Sequence, residues 1–474
     1  MRFRTMSELG DALKGAIELS NGTARVLDPA KTREKLIDPL VETAVFHEKP
    51  DMRGTARWII KMAAMQMGIH PSSIQELYDA IGAGKCGGFT VPAINVRGMA
   101  YDTARAIMRA AIKNQVGAFI LEIAKSEMGY TYQTPSEYVA VMLAAAIKEG
   151  FQGPIFIQGD HFQANFKKFR ENPQKEVDGL RKLIKEAITA GFFNIDIDSS
   201  TLVDLDRPNV VEQQRDNFEV AADLTAYVRS LQPKGVTISV GGEIGEVGGK
   251  NSTVEEFRVF IDNYNETLKR KDRGMKGISK ISVQTGTSHG GVVLPDGSIA
   301  AVKLDLEALA ALSRVARDTY RLAGAVQHGA STLPSNAFGN FPRIETAEIH
   351  LATNFQNIIF DHARLPEDLR ARIKAWLAEN AQSERKAGDS EEQFYYKARK
   401  KAIGPFKRDL WSLPDEVRSA IAADLESTFA FLFAQLNVNG TAELVRRTID
   451  APLQHHAALK PALMAAADDP DAGE

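Results

Sequence analysis

The chain reads as an α/β protein, a (β/α)8 TIM barrel with helical additions at both ends. Three observations carry that reading. From about residue 84 to 362, short β-branched or apolar runs alternate with helix-length segments, the pattern of a mostly parallel sheet. Eight such runs can be counted, the number that closes a barrel. Several of them stop at a histidine or an acid: Asp160-His161 after Pro154-Ile-Phe-Ile-Gln-Gly, Asp198 in Asn194-Ile-Asp-Ile-Asp, Glu243 in Ile238-Ser-Val-Gly-Gly-Glu, His289 after Ile281-Ser-Val-Gln-Thr-Gly-Thr-Ser, and His328 after Gly324-Ala-Val-Gln. In a closed parallel barrel all strand C-termini open on one mouth, so residues far apart in sequence meet there.

The elements follow in order. Residues 1–82 form an N-terminal helical extension: Met6–Leu19, Lys31–Phe46 and Thr55–Met67 have apolar residues at helical spacing, with breaks at Pro29, Pro50 and Pro71. The methionine-rich run Lys61-Met-Ala-Ala-Met-Gln-Met reads as a helix face packed on the body rather than a metal or cofactor box. The barrel occupies residues 83–363. Its expected strands are Phe89–Val96, Ala118–Ala124, Pro154–Gly159, Phe193–Asp198, Val236–Gly242, Lys280–Thr285, Ala325–Gln327 and Glu348–Ala352. Thr103–Asn114, Pro135–Lys148, Val177–Ala190, Asn217–Ser230, Thr253–Lys269 and Leu306–Tyr320 read as amphipathic helices between them. The seventh connection, Ser331–Thr346, holds Pro334, Gly339 and Pro342, which predicts a loop with at most a short helical turn. Residues 364–474 form a C-terminal helical extension, broken at Gly404-Pro405 and Pro414, with a charged surface loop at Ser383–Glu392 and a disordered tail.

Composition narrows the function classes. Apolar residues make up 44% of the chain and charged residues 25%, as in ordinary globular proteins. A net charge of -3 gives no sign of a nucleic-acid partner. No apolar run is long enough to span a bilayer and no signal peptide is expected, so no membrane partner is predicted and the cytoplasm is the default. The lone Cys86 cannot form an intrachain disulfide, which agrees with a reducing compartment, and it reads as a packed residue rather than a nucleophile.

The chemistry of the mouth follows from its donors. Imidazole and carboxylate suit zinc, and three protein ligands plus an open position is a catalytic arrangement. His161, His289 and His328 are the candidate ligands. One histidine at a strand end is more often a hydrogen-bonded core or surface residue; three at strand ends among glycines reverse that balance. Asp160 could merely cap a turn. Asp198 could be a turn residue, with Asp196 in its place. His350 and His362 lie on apolar segments and read as structural. Gly290-Gly291 and Gly329-Ala-Ser331 would expose backbone N–H groups that suit an oxyanion.

These motifs resemble those of the class II, metal-dependent ketose-bisphosphate aldolases over roughly residues 85–362: Val91-Pro-Ala-Ile-Asn-Val, Asp160-His161, Asp198-Ser199, Gly242-Glu-Ile-Gly-Glu-Val-Gly-Gly, Gly286-Thr-Ser-His-Gly-Gly and Gln327-His-Gly-Ala-Ser. The resemblance implies zinc-dependent, reversible aldol cleavage of fructose 1,6-bisphosphate, or its tagatose epimer, into two triose phosphates. Asp160 would exchange a proton with the hydroxyl at the bond being broken. His161, His289 and His328 would bind Zn2+. Asp198 and Glu243 would hold a second divalent or a monovalent cation, or orient the histidines. Asn95, Gly290, Gly329, Ser331 and Thr353 would bind substrate and its phosphate. The resemblance also implies a homodimer or higher homo-oligomer. A second resemblance, through Gly129-Tyr-Thr-Tyr-Gln-Thr-Pro and Gly159-Asp-His-Phe-Gln-Ala-Asn, is to the Z-type accessory subunit of tagatose-bisphosphate aldolase, which would make the chain a non-catalytic partner. An aldolase for another sugar is a third reading.

The pattern departs from the family at three places. Asn251 stands where the family's strand-five loop has a proton-moving glutamate, and spacing does not choose among Glu246, Glu255 and Glu256 as its substitute. The strand-eight motif reads His350-Leu-Ala-Thr-Asn. The serine usual near Ala124 is missing, with Glu122 and Glu127 nearby. Because the mouth must stay open, the amphipathic additions are expected on the barrel's sides or base, or in a subunit contact.

Overall fold

The computed structural model describes residues 2–20, 22–245, 250–287, 293–295, 300 and 304–449. Eight parallel strands pair in sequence order and close: β1 (Val91–Asn95), β2 (Ile120–Ala124), β3 (Gly153–Gln163), β4 (Asn194–Asp198), β5 (Ser239–Glu243), β6 (Lys280–Val283), β7 (Ala325–Gln327) and β8 (Glu348–Leu351). The ring is completed by Glu348 opposite Val91. Each run expected from the sequence forms a strand; most are trimmed at their ends, while β3 runs on through Asp160-His161 to Gln163 and β5 to Glu243. The seventh connection holds only short turns at Ala330–Thr332, Ser335–Ala337 and Asn340–Arg343, as its prolines and glycine predict.

The barrel interior is polar at its centre. Period-two alternation along each strand sends Ile195, Ile197, Ile349 and Leu351 to one face and Asp196, Asp198, Glu348 and His350 to the other. The Lys280 ammonium on β6 donates to Gln158 Oε1 at 2.8 Å and Asp196 Oδ2 at 3.0 Å, and also to Glu348. Gln158 Nε2 donates to Glu348 Oε1 at 2.9 Å. Tyr78, from the helix Gln75–Gly82 beneath the barrel, donates its hydroxyl to Glu348 from below. Gly241 is required here: a Cβ would lie 2.3 Å from Asp196 Oδ1 and 3.0 Å from Lys280 Cε.

The N-terminal segment is not purely helical. Met6–Leu13, Ile37–Phe46 and Pro50–Gln66 are helices, but Ile17–Ser20 and Thr23–Val26 form an antiparallel hairpin. Gly15, at φ 73°, stops the first helix, and each hairpin strand is too short for alternation to outweigh helical spacing. Ile69–Ser72 adds a parallel strand to the lower end of β3, tied by Asn194, whose amide donates to Ser72 O (3.1 Å) and Ile157 O (3.0 Å).

The methionine-rich run is a packed face of Pro50–Gln66, with Met62, Ala63 and Ala64 buried. It also buries Lys61, whose ammonium donates to Ala190 O at 3.0 Å. Burial lowers this lysine to about 8. The folded state therefore holds Lys61's proton less tightly than the unfolded chain. Stability is reduced at neutral pH and recovers as pH rises from about 8 towards the ordinary lysine value. Lys61→Met is expected to raise stability at pH 7 by roughly 1–3 kcal/mol, with the gain shrinking by pH 10. Urea unfolding at both pH values checks this; an equal gain at both would mean packing, not ionisation, is responsible.

The C-terminal segment packs back on the same chain. Helix Asp415–Gln435 lies along Ala100–Lys113 and buries Ile421, Leu425, Phe429 and Phe433. Thr441 Oγ accepts from the N–H groups of Gly117 and Ala118, both at 3.1 Å. The two additions meet at Glu137, which Arg57 approaches at 3.4 Å and Lys407 also binds. The expectation that the additions keep to the sides and base is wrong for one stretch: residues 384–400 reach the mouth. Helical periodicity records which face is buried, not where the segment docks. Among the described residues, no helix is long and apolar enough to cross a membrane.

Candidate active site

Strand ends from β1, β2, β3, β5, β7 and β8 surround one cavity of about 600 Å³. Of the residues singled out from the sequence, Asn95, Asp160, His161, Glu243, His328, Gly329, Ser331 and Thr353 line it. Asp198 does not; it stands behind His161. His289 and Gly290 lie outside the described residues.

A β-bulge aims His161. The register between β3 and β4 shifts between Gly159 and Phe162, and His161 takes a φ of 41°, a conformation rare for a residue with a side chain. Gly159 permits it, since a Cβ there would meet the Phe162 ring at 2.4 Å. The turned imidazole places Nδ1 2.9 Å from Asp198 Oδ2 and 3.4 Å from Glu243 Oε2. Asp198 is itself fixed by Ser200, whose N–H (3.1 Å) and hydroxyl (2.8 Å) donate to Oδ1. The other ring nitrogen, Nε2, lies 2.6 Å from His328 Nδ1 and 3.9 Å from Asp160 Oδ1. His328 Nε2 contacts Ser282 Oγ at 3.2 Å.

His350, read from the sequence as structural, belongs to the site. It lines the cavity and stacks on His328, with ring centroids 4.0 Å apart. Its Nδ1 lies 2.9 Å from Glu122 Oε2 and 3.3 Å from Asp160 Oδ1; its Nε2 lies 2.7 Å from Glu348 Oε1. These are ion-pair contacts without hydrogen-bond alignment, and Asp160 Oδ1 likewise has no hydrogen-bond partner. The alternation of Glu348 and His350 with Ile349 and Leu351 was the sequence signal for an inward polar face. Arg97, Glu122 and Glu127 also line the cavity. Asn95 Nδ2 donates to Glu127 Oε2 at 2.6 Å and Arg97 Nε to Asn95 Oδ1 at 3.1 Å, which holds the β1 end rigid.

The charges are strongly coupled. Burial works to lower His161, but Asp160, Glu243 and Asp198 outweigh it and hold the imidazole well above its ordinary value. His350 is raised in the same way, against burial, by Glu122 and Asp160. Burial would raise Asp160, yet His161 and His350 keep its carboxyl well below the usual range. Burial, then Asp160, pushes Glu122 up to about 7, and burial with Asp198 raises Glu243 well above its usual value. So much carboxylate around two imidazoles calls for positive charge, which protons or one metal cation can supply. The donor set fits a divalent ion: His161 Nε2 and His328 Nδ1 converge, and Asp198 on Nδ1 orients the first ring in the manner of a carboxylate–histidine–metal arrangement.

The phosphate-binding candidates are built of small residues. Gly329 adopts φ 67° directly after His328, a turn that favours glycine. Ser331 Oγ accepts from the N–H groups of Ala352 (2.6 Å) and Thr353 (3.2 Å), joining the β7 and β8 loops. On the β5 side, Asn251 is exposed and its amide donates to Asp305 Oδ2 at 3.1 Å, outside the cavity lining. Glu256 is used as a helix cap, accepting from the Thr253 N–H at 2.8 Å, and Glu255 is exposed. Glu246 lies outside the described residues.

Comparison with known proteins places this geometry. Over 186 residues the chain is 26% identical to the D-tagatose-1,6-bisphosphate aldolase subunit GatZ of Escherichia coli (strain K12), covering 38% of this chain and 42% of that protein. The chain thus spans about two fifths of the length of the curated relatives it matches. A Sinorhizobium meliloti 1021 structure described as a probable tagatose 6 phosphate kinase superposes with a TM-score of 0.50 at 17% identity, over 80% of this chain and 97% of that one; this is a likeness of fold. Fructose-bisphosphate aldolase (Fba) of Campylobacter jejuni gives a TM-score of 0.47 at 16% identity, over 79% and 97% of the two chains. The profile described as fructose-bisphosphate aldolase class-II matches residues 75–407, which takes in every barrel strand, the histidines at the mouth and the stretch of the C-terminal segment that reaches them. The chain belongs to the class-II fructose-bisphosphate aldolase family.

Proposed function

We propose that this protein is a zinc-dependent aldolase that reversibly cleaves a ketose bisphosphate, fructose 1,6-bisphosphate or its tagatose epimer, to dihydroxyacetone phosphate and glyceraldehyde 3-phosphate. The observation that carries the reading is the approach of His161 Nε2 to within 2.6 Å of His328 Nδ1, with Asp160 beside them, inside one cavity. His161 and His328, with His289 by family resemblance, would hold the ion; Glu243 would take a second or alternate cation position. Once bound, the ion would supply Lewis-acid polarisation of the ketose carbonyl and stabilise the enediolate left by cleavage. Asp160 would accept the hydroxyl proton next to the breaking carbon–carbon bond and return it in the condensation direction. Gly329, Ser331 and Thr353 would seat one phosphate and Asn95 the sugar.

The other route to aldol chemistry is a lysine imine, which needs a neutral amine open to substrate. Lys280, the lysine on a barrel strand, is buried, lies outside the cavity lining and is locked to Asp196 and Glu348. Those acids outweigh burial and raise it further. Lys280 is thus not placed to form the imine. A domain division at 1–82, 83–363 and 364–474, a cytoplasmic setting and a homodimer or higher homo-oligomer complete the proposal.

The match to GatZ supports a second reading, a non-catalytic partner of an aldolase subunit. Metal content separates the two. About one zinc per chain is expected, because three imidazoles leave one position for substrate, and chelation should abolish cleavage without unfolding the barrel. Elemental analysis and circular dichroism before and after chelation provide the check. Active protein free of any transition metal would overturn the metal route; metal-poor protein that is inactive alone would point to the accessory role.

A further inference from the structure

Aldol cleavage moves two protons. The hydroxyl at the breaking bond loses one as it becomes an aldehyde, and the electron pair of the carbon–carbon bond stays on the other fragment as an enediolate. That fragment becomes a ketone only when its carbon takes a proton. On the reading above Asp160 serves the first transfer. The second needs another group that reaches the cavity and has a proton to give.

Among the described residues, the carboxyls lining the cavity are Glu122, Glu127, Asp160, Glu243 and Glu384. Three of them are engaged elsewhere. Glu127 pairs with Arg97 through Oε1, and its Oε2 accepts from Asn95 Nδ2 at 2.6 Å and from the Ala124 N–H at 2.8 Å. Glu243 faces His161 Nδ1 at 3.4 Å. Glu384 serves Lys400 at 3.7 Å and Lys401 at 3.5 Å. Both ring nitrogens of His350 face carboxyls: Glu122 and Asp160 at Nδ1, and Glu348 at Nε2.

Glu122 remains. It stands on β2, with Oε2 2.9 Å from His350 Nδ1 and accepting from Gln158 Nε2 at 3.2 Å. Among the described residues, its one ion-pair partner is that imidazole; no lysine or arginine reaches it. A buried carboxyl without such a cation keeps its proton more readily. Burial, then Asp160, lifts Glu122 to about 7, in the range where proton transfer near neutral pH is most efficient. Ligand atoms of Glu122, Asp160 and His350 lie within 4.8 Å of one another, so the two carboxyls are close enough to serve both ends of one carbon–carbon bond.

We infer that Glu122 is a further catalytic residue, the acid that protonates the enediolate carbon in cleavage and the base that removes the carbon-bound proton in condensation, with His350 positioning it. The inference rests on the aldolase reading. In cleavage the Glu122 O–H bond breaks and its electron pair stays on the carboxylate. The enediolate double bond supplies the pair for the new C–H bond, and the carbonyl re-forms. Asp160 then gives the hydroxyl proton to water in the cavity and Glu122 takes one back, so the balance closes.

The test uses dihydroxyacetone phosphate alone in deuterium oxide. Removing and returning the carbon-bound proton replaces it with deuterium, which proton NMR follows while no carbon–carbon bond is made or broken. Wild type should exchange, and Glu122→Gln should do so about 100-fold more slowly or less. Glu122→Asp, which keeps an acid, should exchange faster than Glu122→Gln. Asp160→Ala should keep exchange while losing cleavage. Zinc content, thermal unfolding and calorimetric binding of dihydroxyacetone phosphate, taken on the same preparations, should change little in Glu122→Gln. Exchange by Glu122→Gln at the wild-type rate overturns the role, as do equal rates in the two Glu122 variants. A slowing that comes with lost zinc or lost binding would make Glu122 a binding or fold residue and also overturns it. Exchange lost equally in Asp160→Ala and Glu122→Gln overturns the division of labour between the two carboxyls. If wild type exchanges but cleaves neither sugar bisphosphate, and Glu122→Gln does not exchange, the role stands and the substrate reading falls. Wild type that neither exchanges nor cleaves overturns the aldolase reading and this role with it.

Discussion

Asp160→Ala is expected to lower turnover by roughly 10²–10⁴-fold, the range for losing a positioned acid or base, while the protein stays folded and keeps the zinc proposed for the site. The carboxylate sits on β3, one residue before His161, and lines the cavity. It lies 3.9 Å from His161 Nε2 and 3.3 Å from His350 Nδ1. On the proposed reading it touches substrate beside the ion. Turnover and zinc content measured on the same preparation separate the possibilities. Loss of zinc would make Asp160 a ligand or a fold residue, and nearly unchanged turnover would move the proton transfer elsewhere.

Lys280→Met should destabilise the barrel by about 3–5 kcal/mol, the cost of leaving buried carboxylates without their partner. Lys280 is buried among Gln158, Asp196 and Glu348, none of which can reach water to compensate. Burial raises Glu348, but Lys280 and His350 outweigh it and lower it to about 2. The folded state therefore binds this proton less tightly than the unfolded chain. Its contribution is complete above the ordinary glutamate value and is lost as pH falls towards about 2. Guanidinium unfolding of Lys280→Met, Glu348→Gln and the double variant measures the coupling. A strictly additive double variant would show that the ion pair is not what holds the interior together.

The strands were readable because each is a short apolar or β-branched run ended by a polar residue or glycine, and eight in a row leave few alternatives to a closed barrel. Asp160, His161, Glu243 and His328 were readable because strand ends in such a barrel must share one mouth. His350 was not read because its neighbours Ile349, Leu351 and Ala352 make the segment look apolar. Only the two-residue alternation with Glu348 marks its inward face. The Ile17–Val26 hairpin was missed because four-residue strands also fit helical spacing. The reach of residues 384–400 to the mouth was not legible at all. It depends on pairs such as Ser390 with Pro295 and Arg399 with Asp361, which no local periodicity encodes.

The docking of Asp415–Gln435 on Ala100–Lys113 also has a cost in time. During synthesis the first barrel helix leaves the ribosome some 300 residues before the helix that covers it. At about 5–20 residues per second that is a wait of roughly 15 to 60 seconds. Throughout that interval the side of Ala100–Lys113 that carries Asp102 and Arg109 waits for Arg418 and Glu426, and the cavity lacks the wall supplied by residues 384–400. A ligand that needs the complete cavity can therefore stabilise the chain only after nearly all of it has been made.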